Sequence, residues 1–138
     1  MTPPSETTPE IGARIAFRKT MTVAEQAMFT GISGNLGPLH VDAVRARAAG
    51  APGMICFELA VAALATTCLN RLGGPQRRIG RLDLRFSAAI PVGSTVEAAA
   101  EVLRIAGEAV ICRVVCTLDG GSAVIEGEAE LVPLGIGG

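Results

Sequence analysis

MICFELAVAALATTCLNRL, residues Met54 to Leu72, is apolar around most of its circumference for five helical turns. A helix of that kind is buried on nearly every side. Pro52-Gly53 introduces it and Gly73-Gly74-Pro75 stops it. Beyond that stop the chain changes period. Arg77 to Ala89, Thr95 to Ala106, Glu108 to Leu118 and Ala123 to Val132 are strand-like runs, separated by Pro91-Val92-Gly93, by Gly107 and by Asp119-Gly120-Gly121. Alternation is clear where Leu82, Leu84 and Phe86 oppose Arg81, Asp83 and Arg85, and where Val124 is followed by outward Glu126, Glu128 and Glu130. Asp119-Gly120 is the strongest turn signal, and the connections read as antiparallel hairpins of a four-stranded meander. The apolar face of such a sheet must be covered, and only one long apolar helix is present to cover it. The fold class is therefore α+β, an antiparallel sheet wrapped around one long central helix. Its exposed edges predict a dimer formed through paired sheets.

Upstream of the helix, Met1 to Glu10 has three prolines and no apolar periodicity, which predicts a flexible leader (1–10) before a single domain (11–138). Ile11 to Thr20 reads as a first strand with Ile15 and Phe17 inward. Thr22 with Glu25 three residues later forms a capping box, opening a short helix whose buried face is expected at Val23, Ala27, Met28 and Ile32. Ser33-Gly34-Asn35-Leu36-Gly37-Pro38 is a turn-rich loop ending at His40. Asp42 caps a second short helix to about Ala49, ended by Gly50.

At 138 residues and 49% hydrophobic content the chain fits one globular core, and a net charge of -1 supplies no field for nucleic acid or an anionic membrane. Arg45, Arg47, Arg71, Arg77, Arg78, Arg81 and Arg85 are scattered. They read either as solvated faces and strand ends or as a rim that meets a phosphorylated group. Cys56, Cys68, Cys112 and Cys116 lie in apolar runs, as buried free thiols do in a reducing compartment, and one histidine in the whole chain completes no ordinary zinc set. The start has no apolar signal-peptide core, and the Met54 run is too short and too charged at Glu58 to span a membrane. A cytoplasmic protein is expected.

Two residues carry chemical promise. His40 is the only histidine, on an irregular segment beside a buried helix, suited to acid/base work, although a lone His in a turn is also a common structural hydrogen-bonder. Glu58 stands in an otherwise apolar run. Burying a carboxylate is costly, so it either reaches an aqueous pocket or has a dedicated donor. Thr66 and Thr67 read as hydroxyls bonded back to helix carbonyls.

Phe29-Thr30-Gly31-Ile32-Ser33-Gly34-Asn35-Leu36-Gly37-Pro38-Leu39-His40-Val41-Asp42 resembles the F-A-x-x-S-G-D-x-N-P-x-H-x-D signature of MaoC-like hydratases and dehydratases. Leu84-Arg85-Phe86 and Pro91-Val92-Gly93-Ser94-Thr95-Val96 resemble that family's L-x-F…P-V-x-x-G-D-x-V hairpin. The likeness spans about Ile15 to Val132 and implies the hot-dog fold. It also implies water addition to, or removal from, the C2–C3 bond of an acyl thioester carried by CoA or acyl carrier protein, with no cofactor. The departures fall on the site. His40 is kept, but Asn35 replaces the family's Asp and Gly37 its Asn, and an amide has no basicity near neutral pH.

The run Pro52-Gly53-Met54-Ile55-Cys56-Phe57-Glu58 also resembles the P-G-x-x-x-x-E segment of β-hydroxyacyl-carrier-protein dehydratases. By that likeness Gly53 supplies an oxyanion-binding N–H at the helix start, His40 handles the C2 proton, Glu58 the C3 oxygen, and Asn35 orients water or His40. A second register, counted back from Pro91-Val92-Gly93, places the hydratases' His-Gly pair at Phe57-Glu58 and makes the Glu58 amide the oxyanion donor. Acyl-binding residues are expected at Leu36, Gly37, Gly53, Met54 and Phe57, with Met28 and the inner sheet face. The leading function is a hydratase/dehydratase. An acyl-CoA thioesterase using Glu58, and a degenerate non-catalytic subunit, are the alternatives.

Overall fold

The computed structural model describes residues 8–135. The elements are β1 (Arg14–Thr20), α1 (Val23–Ser33), α2 (Pro38–Val41), α3 (Ala43–Ala48), α4 (Glu58–Gly73), β2 (Arg77–Phe86), β3 (Thr95–Ala106), β4 (Ala109–Leu118) and β5 (Ser122–Pro133). Most of the expected leader, residues 1–7, lies outside the described part. Glu10 accepts from Ala13 N–H and Gly12 donates to Val102 O, so the chain enters β1 through a turn fastened to β3.

All five strands form one antiparallel sheet in the order β1-β3-β4-β5-β2. The expected four-stranded meander is therefore corrected: only β3-β4-β5 meanders, β2 lies on the far edge against β5, and β1 pairs with β3. The reason lies between Phe86 and Thr95. That segment does not turn back as a hairpin but crosses to the other side of the sheet, pinned where Ile55 bridges Pro91 and Cys56 N–H donates to Ile90 O. Alternation reports which residues share a face, whereas strand order depends on long connections that carry no period.

The inner face presents Val96, Ala98, Ala100 and Val102 on β3, Val110, Cys112, Val114 and Cys116 on β4, and Ile125, Ala129 and Leu131 on β5, all buried. Onto them α4 lays Val61, Ala62, Leu64, Ala65, Cys68, Leu69 and Leu72. Ala98 and Ala100 are small where the helix crosses. Close approach there lets Cys68 Sγ reach Ala98 O at 3.5 Å. Ile15 and Phe17 of β1 pack against the same core, as their alternation predicts.

The outer face is polar. One cross-strand row reads Arg14, Glu101, Arg113, Glu128, Asp83, mostly alternating in sign, and Arg113 reaches Glu126 at 3.6 Å and Arg104 reaches Glu128 at 3.5 Å. Of the arginines singled out in the sequence, Arg81 and Arg85 belong to this solvated face, and Arg77 caps the end of α4 by donating to Gly73 O.

Three expectations for the helices are corrected. The long helix begins at Glu58, not Met54. Residues 54–57 are extended, because Ile55 N–H donates to Leu39 O, Cys56 N–H to Ile90 O, and Met54 O accepts from Val92 N–H. With those backbone groups paired elsewhere, no helical ladder can form. Nor is α4 buried all round: Leu59, Ala63, Thr66 and Asn70 form an exposed stripe, with Leu59 60% exposed and the Thr66 hydroxyl bonded back to Ala63 O. In α1 the Thr22–Glu25 capping box is present, but Val23, Ala27, Met28 and Ile32 face outward. The buried residue is Gln26.

Candidate active site

The site is assembled where α1, α2 and the extended segment 54–57 meet the first turn of α4. His40 lies on the one-turn helix α2, started by Pro38, whose fixed φ and missing N–H suit a first helical position. Its ring stacks on Phe57, centroids 4.4 Å apart and planes 20° apart, and Phe57 in turn meets Phe29 at 4.7 Å. His40 Nδ1 lies 2.8 Å from Ile55 O. A carbonyl can only accept, so Nδ1 carries the proton and, in the neutral ring, Nε2 holds the free lone pair. Nε2 is 3.9 Å from Glu58 Oε1.

Glu58 is the first residue of α4, after the N-cap Phe57, whose side chain caps nothing. Ala60 and Val61 N–H both bond Phe57 O, which leaves the Glu58 and Leu59 amides as the orphan donors of the first turn. Those donors, with the helix dipole, favour negative charge. The carboxylate resolves the choice posed by its apolar run: its side chain is 51% exposed and reaches water.

Asn35 is held in the loop by its own turn. Its side-chain oxygen accepts from Gly37 N–H at 2.8 Å, its N–H donates to Ser33 Oγ, and Thr30 Oγ1 donates to its carbonyl. Gly37 is the close point between loop and imidazole. A Cβ there would sit 3.1 Å from Asn35 Oδ1 and 3.3 Å from His40 Cδ2.

The sequence-predicted residues thus divide. His40, Glu58, Asn35, Gly37 and Phe57 come together. Gly53 does not stand at the helix start, because α4 begins five residues later; it lines a cavity of about 270 Å³ with Ala43, Arg47, Pro52, Met54, Pro91 and Val92. The helix starts instead at Glu58, after the N-cap Phe57. Phe57 is 2% exposed, sandwiched between His40 and Phe29, so it supports the imidazole instead of lining a tunnel. Leu36 and Met28 are exposed at 69% and 67%.

Gln26 is the residue the sequence reading missed. Its Nε2 donates to His40 O at 2.8 Å and Ile55 O at 2.9 Å, and its Oε1 accepts from Phe57 N–H at 3.2 Å. The available signal was its helical spacing to Phe29 on the α1 face opposite the one assigned to the core.

A five-stranded antiparallel sheet laid along one long helix is the hot-dog fold. The MaoC-like domain model matches residues 6–118. The chain is 31% identical over 124 residues, 88% of its length and 85% of the relative's, to the (R)-specific enoyl-CoA hydratase of Rhodospirillum rubrum. Its structure superposes on the (R)-hydratase of A. caviae involved in PHA biosynthesis with a TM-score of 0.85 at 25% identity, covering 90% of this chain and 96% of that one. An R-hydratase from Pseudomonas aeruginosa shares the fold at a TM-score of 0.81 and 24% identity, with 91% and 85% covered. The chain belongs to the MaoC-like domain family.

Proposed function

We propose that this chain is an acyl-thioester hydratase/dehydratase, a lyase that interconverts a trans-2-enoyl thioester and an (R)-3-hydroxyacyl thioester on CoA or a phosphopantetheinyl carrier protein. The observation that carries the reading is the pairing of His40 Nε2 with Glu58 Oε1 at 3.9 Å over the open first turn of α4. An imidazole whose other nitrogen is committed as a donor is a base at Nε2, and a carboxyl beside it is its proton partner. The (R)-hydratase relatives support the reaction class.

The thioester carbonyl sits against the Glu58 and Leu59 amides, which stabilise negative charge as it develops on oxygen. In dehydration, Nε2 takes the C2 proton, that bonding pair becomes the C2=C3 bond, the C3–O bond breaks, and the leaving hydroxyl takes a proton from the Glu58 carboxyl to depart as water. The proton on His40 then returns to Glu58 through a bridging water, since 3.9 Å is too long for a direct hydrogen bond. Hydration runs the same steps backwards: Glu58 takes a proton from water as its oxygen attacks C3, and His40 protonates C2. Asn35, its oxygen occupied by Gly37 N–H, offers its NH₂ group to that water. Chemistry of this kind needs acid/base groups and a polarised carbonyl, and no cofactor.

A second copy of the chain fits this reading. Leu59 of the exposed α4 stripe, at 60%, and Leu82 and Phe86 of edge strand β2, at 41% each, are exposed apolar side chains available to a second copy. Sedimentation showing only monomer at micromolar concentration would remove the dimer. Buried free thiols fit a reducing cytoplasm, and no helix among the described residues is long and apolar enough to cross a membrane.

The decisive assay follows the enoyl-thioester absorbance of crotonyl-CoA with the wild type and His40→Ala, alongside free-thiol release from a saturated acyl-CoA. Loss of the band in the wild type alone is the expected result. Thiol release with a persistent band would reassign Glu58 to a thioesterase, and silence of both assays across chain lengths would favour a non-catalytic subunit.

A further inference from the structure

Gln26 is the one polar side chain buried among the described residues, at 3% exposure. A primary amide buried without partners is strongly destabilising, yet here its groups are answered, and by atoms of the site. We propose that Gln26 is the positioning residue of this enzyme: its amide locks the tautomer of His40 and the spacing between His40 and Glu58. The proposal rests on the acid/base reading of that pair.

The geometry allows one orientation of the amide. Turned the other way, Oε1 would face two carbonyl oxygens, His40 O and Ile55 O, at hydrogen-bond distance, with no proton between them. In the observed orientation Ile55 O accepts twice, from Gln26 Nε2 and from His40 Nδ1. Both its lone pairs are then used. Gln26 therefore sets the position of the acceptor that fixes the Nδ1–H tautomer. It also holds the His40 backbone through His40 O, and holds Phe57 N–H, one residue before Glu58. One side chain from α1 thus clamps the α2 turn bearing the base to the segment that launches the carboxylate and carries the stacked Phe57 ring. No catalytic contact by Gln26 is required.

The chain has one histidine, so ¹⁵N-histidine NMR reports His40 alone. At a pH where the ring is neutral, the wild type is expected to show a protonated Nδ1 and a bare Nε2, and slow exchange of the Gln26 amide protons. Gln26→Leu, close in size, and the isosteric Gln26→Glu, which loses the two donations, are expected to mix the tautomers. Both should lower kcat on an enoyl thioester on the order of 10- to 100-fold, from misplacement of the base, with KM little changed and the pH–rate profile shifted. Folded variants that keep the wild-type tautomer, kcat and pH profile would reduce Gln26 to a stability role and overturn the proposal. Should neither variant fold, a bare Nδ1 or fast-exchanging Gln26 amide in the wild type overturns it equally. A wild type inactive on every enoyl thioester, with the tautomer shift present in the variants, supports the positioning role while refuting the hydratase reading.

Discussion

Glu58→Gln separates two roles for the helix carboxylate by size. Gln keeps the volume of the side chain and the backbone N–H at the start of α4, and removes only the charge and the exchangeable proton. If Glu58 merely stabilises the imidazolium as His40 takes a proton, the loss is a charge pair at 3.9 Å. Such a pair ranges from about 1 kcal/mol in water to about 4 kcal/mol near a protein surface. Glu58 is half exposed, which places it toward the lower end, about 1–2 kcal/mol, or roughly 5- to 30-fold in rate. If Glu58 also moves the proton at the C3 oxygen, general acid/base catalysis adds roughly 10²- to 10⁴-fold. The expected result is a fall in kcat of at least about 10²-fold, with KM within a few-fold, followed as enoyl-thioester absorbance. Folding should change little, since a first-turn carboxylate contributes only about 0.3–1 kcal/mol through the helix dipole. A folded Glu58→Gln enzyme that loses less than about tenfold refutes the proton-transfer role, and one at full activity refutes the pair altogether.

Other perturbations test the frame around the site. Gly127→Ala would put a Cβ 1.9 Å from Asp83 O, against backbone that cannot swing away. Separating β2 from β5 there, with its ladder bonds and Leu84, is expected to cost about 3–5 kcal/mol in urea unfolding; a loss below about 1 kcal/mol would mean that the strands do not approach so closely. Glu25 is held down to about 2 by the Thr22 hydroxyl and then by Lys19, whose Nζ is 2.9 Å away. A carboxyl depressed in the folded state contributes stability that is complete above its ordinary 4.5 and lost as pH falls through about 2. Glu25→Gln should therefore flatten the stability profile in that window by on the order of 1 kcal/mol, the pair being in contact with water, and an unchanged acid slope would contradict this. Burial pushes Cys56, Cys112 and Cys116 up to about 11 and raises Cys68. A thiol reagent at pH 8 should find no fast site in the native protein and four after denaturation; rapid native labelling would show that the core opens readily.

Charge and packing explain why the surface arginines stayed ambiguous in the sequence. An Arg on a strand looks the same whether it faces a phosphate or the glutamate of the neighbouring strand. Only the register, which sets Arg81 opposite Glu130 and Arg85 opposite Glu126, identifies these two as part of a mixed-sign outer face. The buried face of α1 illustrates the same limit. Val23, Met28 and Ile32 are the more apolar choice by periodicity, yet Gln26 is the residue turned inward, because its partners come from residues 14 and more positions away.

Much was nonetheless fixed by local pattern. Period-2 alternation, the Gly-bearing turns, the Thr22–Glu25 box, the Asp42 cap and one apolar helix defined the elements of an α+β sheet-on-helix fold, because those signals act over a few residues. His40 and Glu58 also stood out unaided, as the sole histidine and as a charge in an apolar run. The tertiary structure decided the strand order, the start of α4 and the joining of the site. Met54 to Phe57 is as apolar as the helix that follows, so hydrophobicity could not divide them. Backbone bonds to Leu39, Ile90 and Val92 did, and they deliver Glu58 to the helix tip within 3.9 Å of His40. Contacts between distant segments depend on how the whole chain closes, which no local period encodes.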